Sequence, residues 1–215
     1  MLLNIAIDGP AGSGKSTVAK AVAEKIGATY LDTGAMYRMV TLDALNQGIS
    51  FDNENHINQL LENISIVFKG QALFLNGVDV TEAIRSNEVA NHVSKIAAIP
   101  SVRLKLVAMQ REIAKGQNIV MDGRDIGTHV LPDANFKFFL VASVEERAKR
   151  RMADFIKQKI DISMKDLISD IEKRDYQDMN RKVSPLVQAE DAILIDTTLM
   201  SADRVIDFIV KEIQG

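Results

Sequence analysis

Residues 9–17 read GPAGSGKST, directly after an apolar run at 2–7, LLNIAI. The stretch satisfies G-x-x-x-x-G-K-[ST], with Gly9 and Gly14 as the fixed glycines, Lys15 as the lysine and Ser16 as the hydroxyl. Glycines at 9, 12 and 14 let the loop turn tightly and bring backbone N–H groups against an anion. The helix expected over 14–26 aims its first unpaired amides and its positive dipole end at the same point. Lys15 is placed to reach the β- and γ-phosphates of a nucleoside triphosphate, and Ser16 to ligate Mg2+. Pro10, Ala11, Gly12, Ser13 and Thr17 complete the loop around that ligand. A strand before and a helix after separate this motif from a chance glycine-rich turn.

The rest of the chain repeats that order. Apolar strand-like runs at 4–8, 29–31, 119–121, 136–141 and 193–195 alternate with helical patterns. That rhythm implies βαβ units and a five-stranded parallel sheet flanked by helices, an α/β fold. Helices are signalled at 35–46, before Gly48, and at 101–114, between Pro100 and Gly116. Ser143 with Glu146 forms a capping box for a helix over 144–157, and Ser201 caps a last one to about 213. Right-handed crossovers then place the ligand at the carboxyl ends of the strands. Two stretches depart from the rhythm. The segments 64–69, 72–75 and 78–80 alternate and are separated by Gly70-Gln71 and Asn76-Gly77, which predicts a small antiparallel sheet. The polar stretch 157–173 is expected to be an irregular lid. The expected organisation is a single unit over 1–215, with a core at 1–63 and 118–215. Residues 64–117 form the insertion and its return helix.

Composition narrows the class. With 215 residues the chain can bury a sizeable core, and a net charge of −3 argues against a broad nucleic-acid-binding surface. The chain has no Cys, which excludes disulfides within it and cysteine metal sites. No uncharged run approaches the ~20 apolar residues of a membrane span. The first apolar run reads as a core strand rather than a signal peptide, so a cytoplasmic monomer without membrane or nucleic-acid partners is expected. His56, His92 and His129 lack a carboxylate or second His at ligand spacing and read as surface or core residues.

A phosphate loop alone does not separate a kinase from a GTPase or a regulator. Neither Asn-Lys-x-Asp nor Asp-x-x-Gly occurs, which argues against a GTPase. Arginines 38, 124, 147, 150, 151, 174 and 181 fall at strand ends, on helices leaving them or near the lid. Phosphoryl transfer needs charge stabilisation and in-line positioning, which suits arginine's bidentate fork. Arg147, Arg150 and Arg151 share one helix face, either as a phosphate clamp or as a basic surface. Arg174, Asp178 and Arg181 fall at i, i+4 and i+7, lining one face of a helical stretch or forming an ordinary surface ion pair. Asp122, after the run 119–121, fits a Mg2+ site or a structural turn, and Asp8 reads as mainly structural.

Several segments, taken in order, resemble the bacterial-type cytidylate kinases. They are GPAGSGKST (9–17), YLDTGAMYR (30–38), SKIAAIPSVR (94–103), MDGRDIGT (121–128), FLVASVEERAKRRM (139–152) and RDYQDMNR (174–181). The resemblance spans essentially the whole chain, and MDGRDIGT with the hairpin insertion is more specific than the phosphate loop. Thr33, where the family carries serine, is a conservative departure. The resemblance implies a P-loop kinase fold with an enlarged monophosphate-binding insertion and a short lid. It also implies transfer of the γ-phosphoryl of ATP to CMP or dCMP with Mg2+. Arg38, Arg124 and Arg181 would hold the CMP phosphate, and Ser94, Arg103 and Asp125 would read the cytosine edge. Arg174 and Asp178 would contact the sugar, Thr33 and Tyr37 would complete the acceptor pocket, and Arg150 would face ATP. The rivals are a kinase for another small acceptor, such as uridylate or shikimate, and a non-catalytic P-loop module.

Overall fold

Four of the five residues Asn4–Asp8 are buried, and this strand, β1, is the middle of a five-stranded sheet. The computed structural model describes residues 2–157 and 161–215. In chain order β1 is followed by α1 (Lys15–Ile26), β2 (Thr29–Asp32), α2 (Thr33–Asn46) and α3 (Glu54–Asn63). Strands β3 (Ile66–Lys69), β4 (Ala72–Leu75) and β5 (Val78–Asp79) come next, then α4 (Asn87–Ala97) and α5 (Pro100–Ala114). The chain continues through β6 (Ile119–Gly123), β7 (Phe136–Val141), α6 (Val144–Lys157), α7 (Met164–Asn180), β8 (Ile193–Asp196) and α8 (Ala202–Gln214). Two compact units result, one of Met1–Asp32 with Ala114–Gly215 and one of Thr33–Ile113. No helix among the described residues is long and apolar enough to cross a membrane.

The first unit holds the parallel sheet, in the order β2-β6-β1-β7-β8. Its inner strands are near-continuous apolar runs because both faces are covered, as parallel sheets require. Ile5, Ile7, Val120, Phe138, Leu140 and Ile195 pack with Val18 and Val22 of α1 and with Val205 and Ile209 of α8. The five parallel strands expected from the sequence are all present, each within two residues of its expected ends. At the start of α6, Ser143 accepts from the Glu146 N–H at 3.2 Å. The Glu146 carboxylate turns instead to Arg150 at 3.1 Å, so the capping box closes on one side only.

The expected irregular lid is corrected from residue 164 onwards, where the chain is helical. Ser163 caps α7 by accepting from the Asp166 N–H at 3.1 Å, and Leu167 and Ile171 pack against Ala148 of α6. An apolar stripe one residue wide per turn, among many charges, is enough for a helix that rests on a neighbour. Residues 158–160 of the expected lid lie outside the described residues.

The second unit contains the antiparallel sheet β3-β4-β5, as the alternating segments predict. Asn76 and Gly77 join β4 to β5 with φ of 50° and 82°, the backbone of a tight two-residue hairpin turn. Helices α3 and α4 were not read from the sequence, although both have side-chain caps, Asn53 and Ser86. The unit begins at Thr33, where α2 packs against α3, α4 and the 3-10 turn Ala83–Arg85.

Candidate active site

The loop leaving β1 runs Gly9–Gly14 and enters α1 at Lys15. Gly9 has φ 151°, and a Cβ there would lie 2.1 Å from the Leu140 carbonyl oxygen on β7. The loop therefore lies against the adjacent strand where no side chain fits. Gly9→Ala is expected to destabilise the protein by about 1–3 kcal/mol, lowering its melting temperature by roughly 3–10 °C. A wild-type melting curve would contradict that contact.

No side chain caps α1 and no acidic residue occupies its first turn, a helix start suited to an anion. The Ser13 hydroxyl in the loop is buried and has no hydrogen-bond partner among the described residues. Lys15 is buried, and its Nζ donates to the Pro10 carbonyl at 3.1 Å. Burial and the charge of Arg124 push that ammonium well below the ordinary lysine value. An anion in the loop would relieve both penalties.

Asp122, the next-to-last residue of β6, pairs in register with Asp32 at the end of β2. It accepts from Ser16 Oγ at 2.6 Å and from Tyr30 Oη at 2.8 Å. Burial and the facing Asp32 push Asp122 above the usual carboxylate range, against the pull of Lys15 and the two hydroxyls. Burial and Asp122 also raise the Tyr30 hydroxyl, which stays a donor. A hydroxyl and a carboxylate side by side suit a hard cation with oxygen ligands. No group of three or more His, Cys, Asp or Glu among the described residues could cage a metal alone.

A cavity of about 620 Å3 opens on the loop, lined by residues 12–18, Glu146, Arg150, Ala153, Asp154, Thr197, Met200 and Ala202. That size is within the ~300–1,000 Å3 of ordinary ligand sites. Arg150 lies in its wall, with Nη2 on the Thr197 carbonyl at 2.7 Å and Nη1 on Thr197 Oγ1 at 3.1 Å. Thr197 is tied in turn to the carbonyls of Ser13 and Val141, joining the end of β8 to the loop. Thr197, Asp154 and Met200 were not read from the sequence, and Glu146 only as a helix cap. Glu146 and Asp154 lie on α6, and Thr197 and Met200 between β8 and α8, and no local pattern marks them.

Beyond β6 a charged cluster forms. Arg124 Nε donates to Asp178 Oδ2 at 2.8 Å, and Arg181 lies 3.5 Å from Asp125 and 3.9 Å from Asp178. Burial pushes Asp178 up, but Arg124, Arg174 and Arg181 outweigh it and hold the carboxyl below its usual range. The expected helical face is corrected at one end. Arg174 and Asp178 are in α7, but the helix stops at Asn180 and Arg181 has extended backbone. Asp8 braces this turn from below, accepting from Ile126 and Gly127 N–H at 2.9 and 2.8 Å. Burial outweighs those bonds and pushes Asp8 up to about 7.

Thr33, Tyr37, Arg38, Ser94 and Arg103 belong to the second unit. Thr33, Tyr37 and Arg38 share α2, Ser94 is on α4 and Arg103 on α5. Arg103 is almost wholly buried, donates to the Ala97 carbonyl at 3.1 Å and lies 5.3 Å over the Tyr37 ring.

A phosphate loop set on the central strand of a parallel sheet, with arginines gathered past the next strand, is the geometry of a P-loop kinase. Solved structures share the fold. Shikimate kinase from Bacteroides thetaiotaomicron superposes with a TM-score of 0.51 at 16% identity, covering 100% of this chain and 97% of that one. A gluconokinase from Sinorhizobium meliloti gives 0.52 at 13%, over 99% and 91%. The family model for cytidylate kinase matches residues 5–215. The chain is 49% identical to cytidylate kinase of Fusobacterium nucleatum, over 98% of this chain and 96% of that protein. With that of Limosilactobacillus fermentum it shares 52%, over 99% and 96%. The chain belongs to the cytidylate kinase family.

Proposed function

We propose that this protein transfers the γ-phosphoryl group of ATP to CMP or dCMP, giving ADP and CDP or dCDP. The observation that carries the reading is the cluster of Arg124 and Arg181 around Asp178 and Asp125, in the same compact unit as the phosphate loop. Membership of the cytidylate kinase family supplies the base.

ATP phosphates lie in the loop against the α1 amides and Lys15, with Arg150 in the wall of the donor cavity. Ser16, with Asp122 behind it, would hold Mg2+, which would supply neutralising charge for the transferring phosphates. Arg38, Arg124 and Arg181 hold the acceptor phosphate, which carries about −1.5 to −2 charges. An oxygen of that phosphate attacks the γ-phosphorus in line, and the bond to the ADP oxygen breaks. The nucleophile is already an anion, so no protein base is required. Thr33 and Tyr37 line the acceptor pocket, Arg174 and Asp178 contact the sugar, and Ser94, Arg103 and Asp125 read the base.

A panel of common nucleoside monophosphates with ATP, scored for diphosphate product, tests the reading. CMP and dCMP are expected to be the best acceptors, and ADP should form only with an acceptor present. Preference for another monophosphate, or acceptor-independent hydrolysis, would overturn it.

Arg181→Ala is expected to damage acceptor use far more than ATP binding. A charge-assisted hydrogen bond to phosphate contributes roughly 1.5–3 kcal/mol, about 10–100-fold in kcat/KM for CMP. Separate titrations of ATP and CMP check this. A fall in ATP affinity with unchanged CMP kinetics would move Arg181 to the donor side.

A further inference from the structure

Arg147 shares its helix face with Arg150, but its side chain goes elsewhere. Its guanidinium is buried, with side-chain exposure of 4%, and touches three separate segments. Nη1 donates to the Ala11 carbonyl of the phosphate loop at 3.1 Å, and Nε to the Ala142 carbonyl beyond β7 at 3.1 Å. Nη2 reaches Asp175 Oδ2 of α7 at 2.6 Å. The loop also packs directly on this residue, since a Cβ on Gly12 (φ 77°) would lie 3.1 Å from Arg147 Cβ.

We propose that Arg147 and Asp175 are a positioning pair that sets the C-terminal half of α7, with its acceptor-side residues, against the phosphate loop. The two halves of that helix are held differently. The apolar cluster between α6 and α7 uses Leu167, Ile168 and Ile171, all in the first half. In the second half Tyr176 and Met179 are exposed, and the anchors are carboxylates. Asp175 grips Arg147, and one turn later Asp178 grips Arg124 at the end of β6. Arg174 and Asp178 flank the first anchor, and Arg181 follows the helix end.

Apolar contacts tolerate sliding, whereas a buried guanidinium–carboxylate bond fixes direction and distance. Asp175 Oδ1 is buried without a hydrogen-bond partner among the described residues, so the carboxylate is committed through a single oxygen. The pair touches the donor loop at one end and the acceptor helix at the other. It is therefore a positioning pair for the transfer rather than part of either binding surface.

The inference rests on the acceptor role given to α7, so wild-type phosphorylation of CMP is the first measurement. A wild type unable to use CMP would refute that role, which differs from a working wild type with unimpaired Asp175 variants. Asp175→Asn keeps the shape and removes the charge. Misplacement by about 1 Å can cost on the order of 100-fold, so kcat/KM for CMP is expected to fall roughly 10–100-fold. The Kd of ATP, measured calorimetrically without acceptor, should stay within about threefold. A merely structural brace would lower the melting temperature without separating the two substrates. Unchanged CMP kinetics, or a parallel loss of ATP affinity, overturns the proposal. Asp175→Glu keeps the charge and displaces it by one methylene, and it decides the matter if the Asn variant does not fold. A selective loss for CMP supports the pair, and wild-type CMP kinetics sinks it.

Discussion

Replacing Lys15 by alanine is expected to reduce turnover by roughly 10²–10⁴-fold while leaving the protein folded. Each ~1.4 kcal/mol of lost transition-state stabilisation is tenfold in rate, and one electrostatic clamp commonly supplies several. Lys15 is buried at the start of α1 with its ammonium on the Pro10 carbonyl, where water cannot substitute for it. The same burial makes it a poor contributor to stability. Desolvation and the charge of Arg124 both oppose its ionised form in the free protein. Removing it therefore relieves a penalty, and the melting temperature should not fall. Turnover and thermal unfolding of the purified variant check both halves. More than a tenth of wild-type turnover in a folded variant would refute the role given to this lysine.

Lys15 belongs to the part of the molecule that its sequence makes plain. The phosphate loop is contiguous, nine residues from Gly9 to Thr17, so a local pattern specifies it. The three inner parallel strands are legible for a related reason, because strands buried on both faces become near-continuous apolar runs. Helix α7 was not, since Leu167 and Ile171 are all that its first turns need once Ala148 is beneath them. Side-chain destinations were less legible still. Arg147, Arg150 and Arg151 look equivalent on a helical wheel. The first is buried against two carbonyls and Asp175, the second lies in the cavity wall, and the third lies over the Phe155 ring. Asp122 had two equal readings because its partner Ser16 is 106 residues away, joined to it only by strand register.

Base selection is expected to depend on Asp125. Cytosine presents an exocyclic amine where uracil presents a carbonyl oxygen, so an ionised carboxylate accepts from one and opposes the other. A site built to bond a group rejects an analogue lacking it strongly, because buried polar atoms are left unpaired. Asp125 is buried and opens the turn Ile126–Val130, with its backbone carbonyl accepting from His129 and Val130. Its carboxylate also stands 3.5 Å from Arg181, so alanine there removes a neighbour of the arginine proposed to hold the phosphate as well as the proposed base acceptor. The two effects separate by substrate. Losing support for Arg181 weakens every monophosphate equally, whereas losing the base acceptor weakens CMP alone. Asp125→Ala is expected to lower kcat/KM for CMP by roughly 10–10³-fold, about 1.5–4 kcal/mol, and that for UMP much less. The CMP-to-UMP ratio, measured on one preparation, is the deciding quantity. If both substrates lose equally, Asp125 serves the phosphate through Arg181 and the base is read elsewhere.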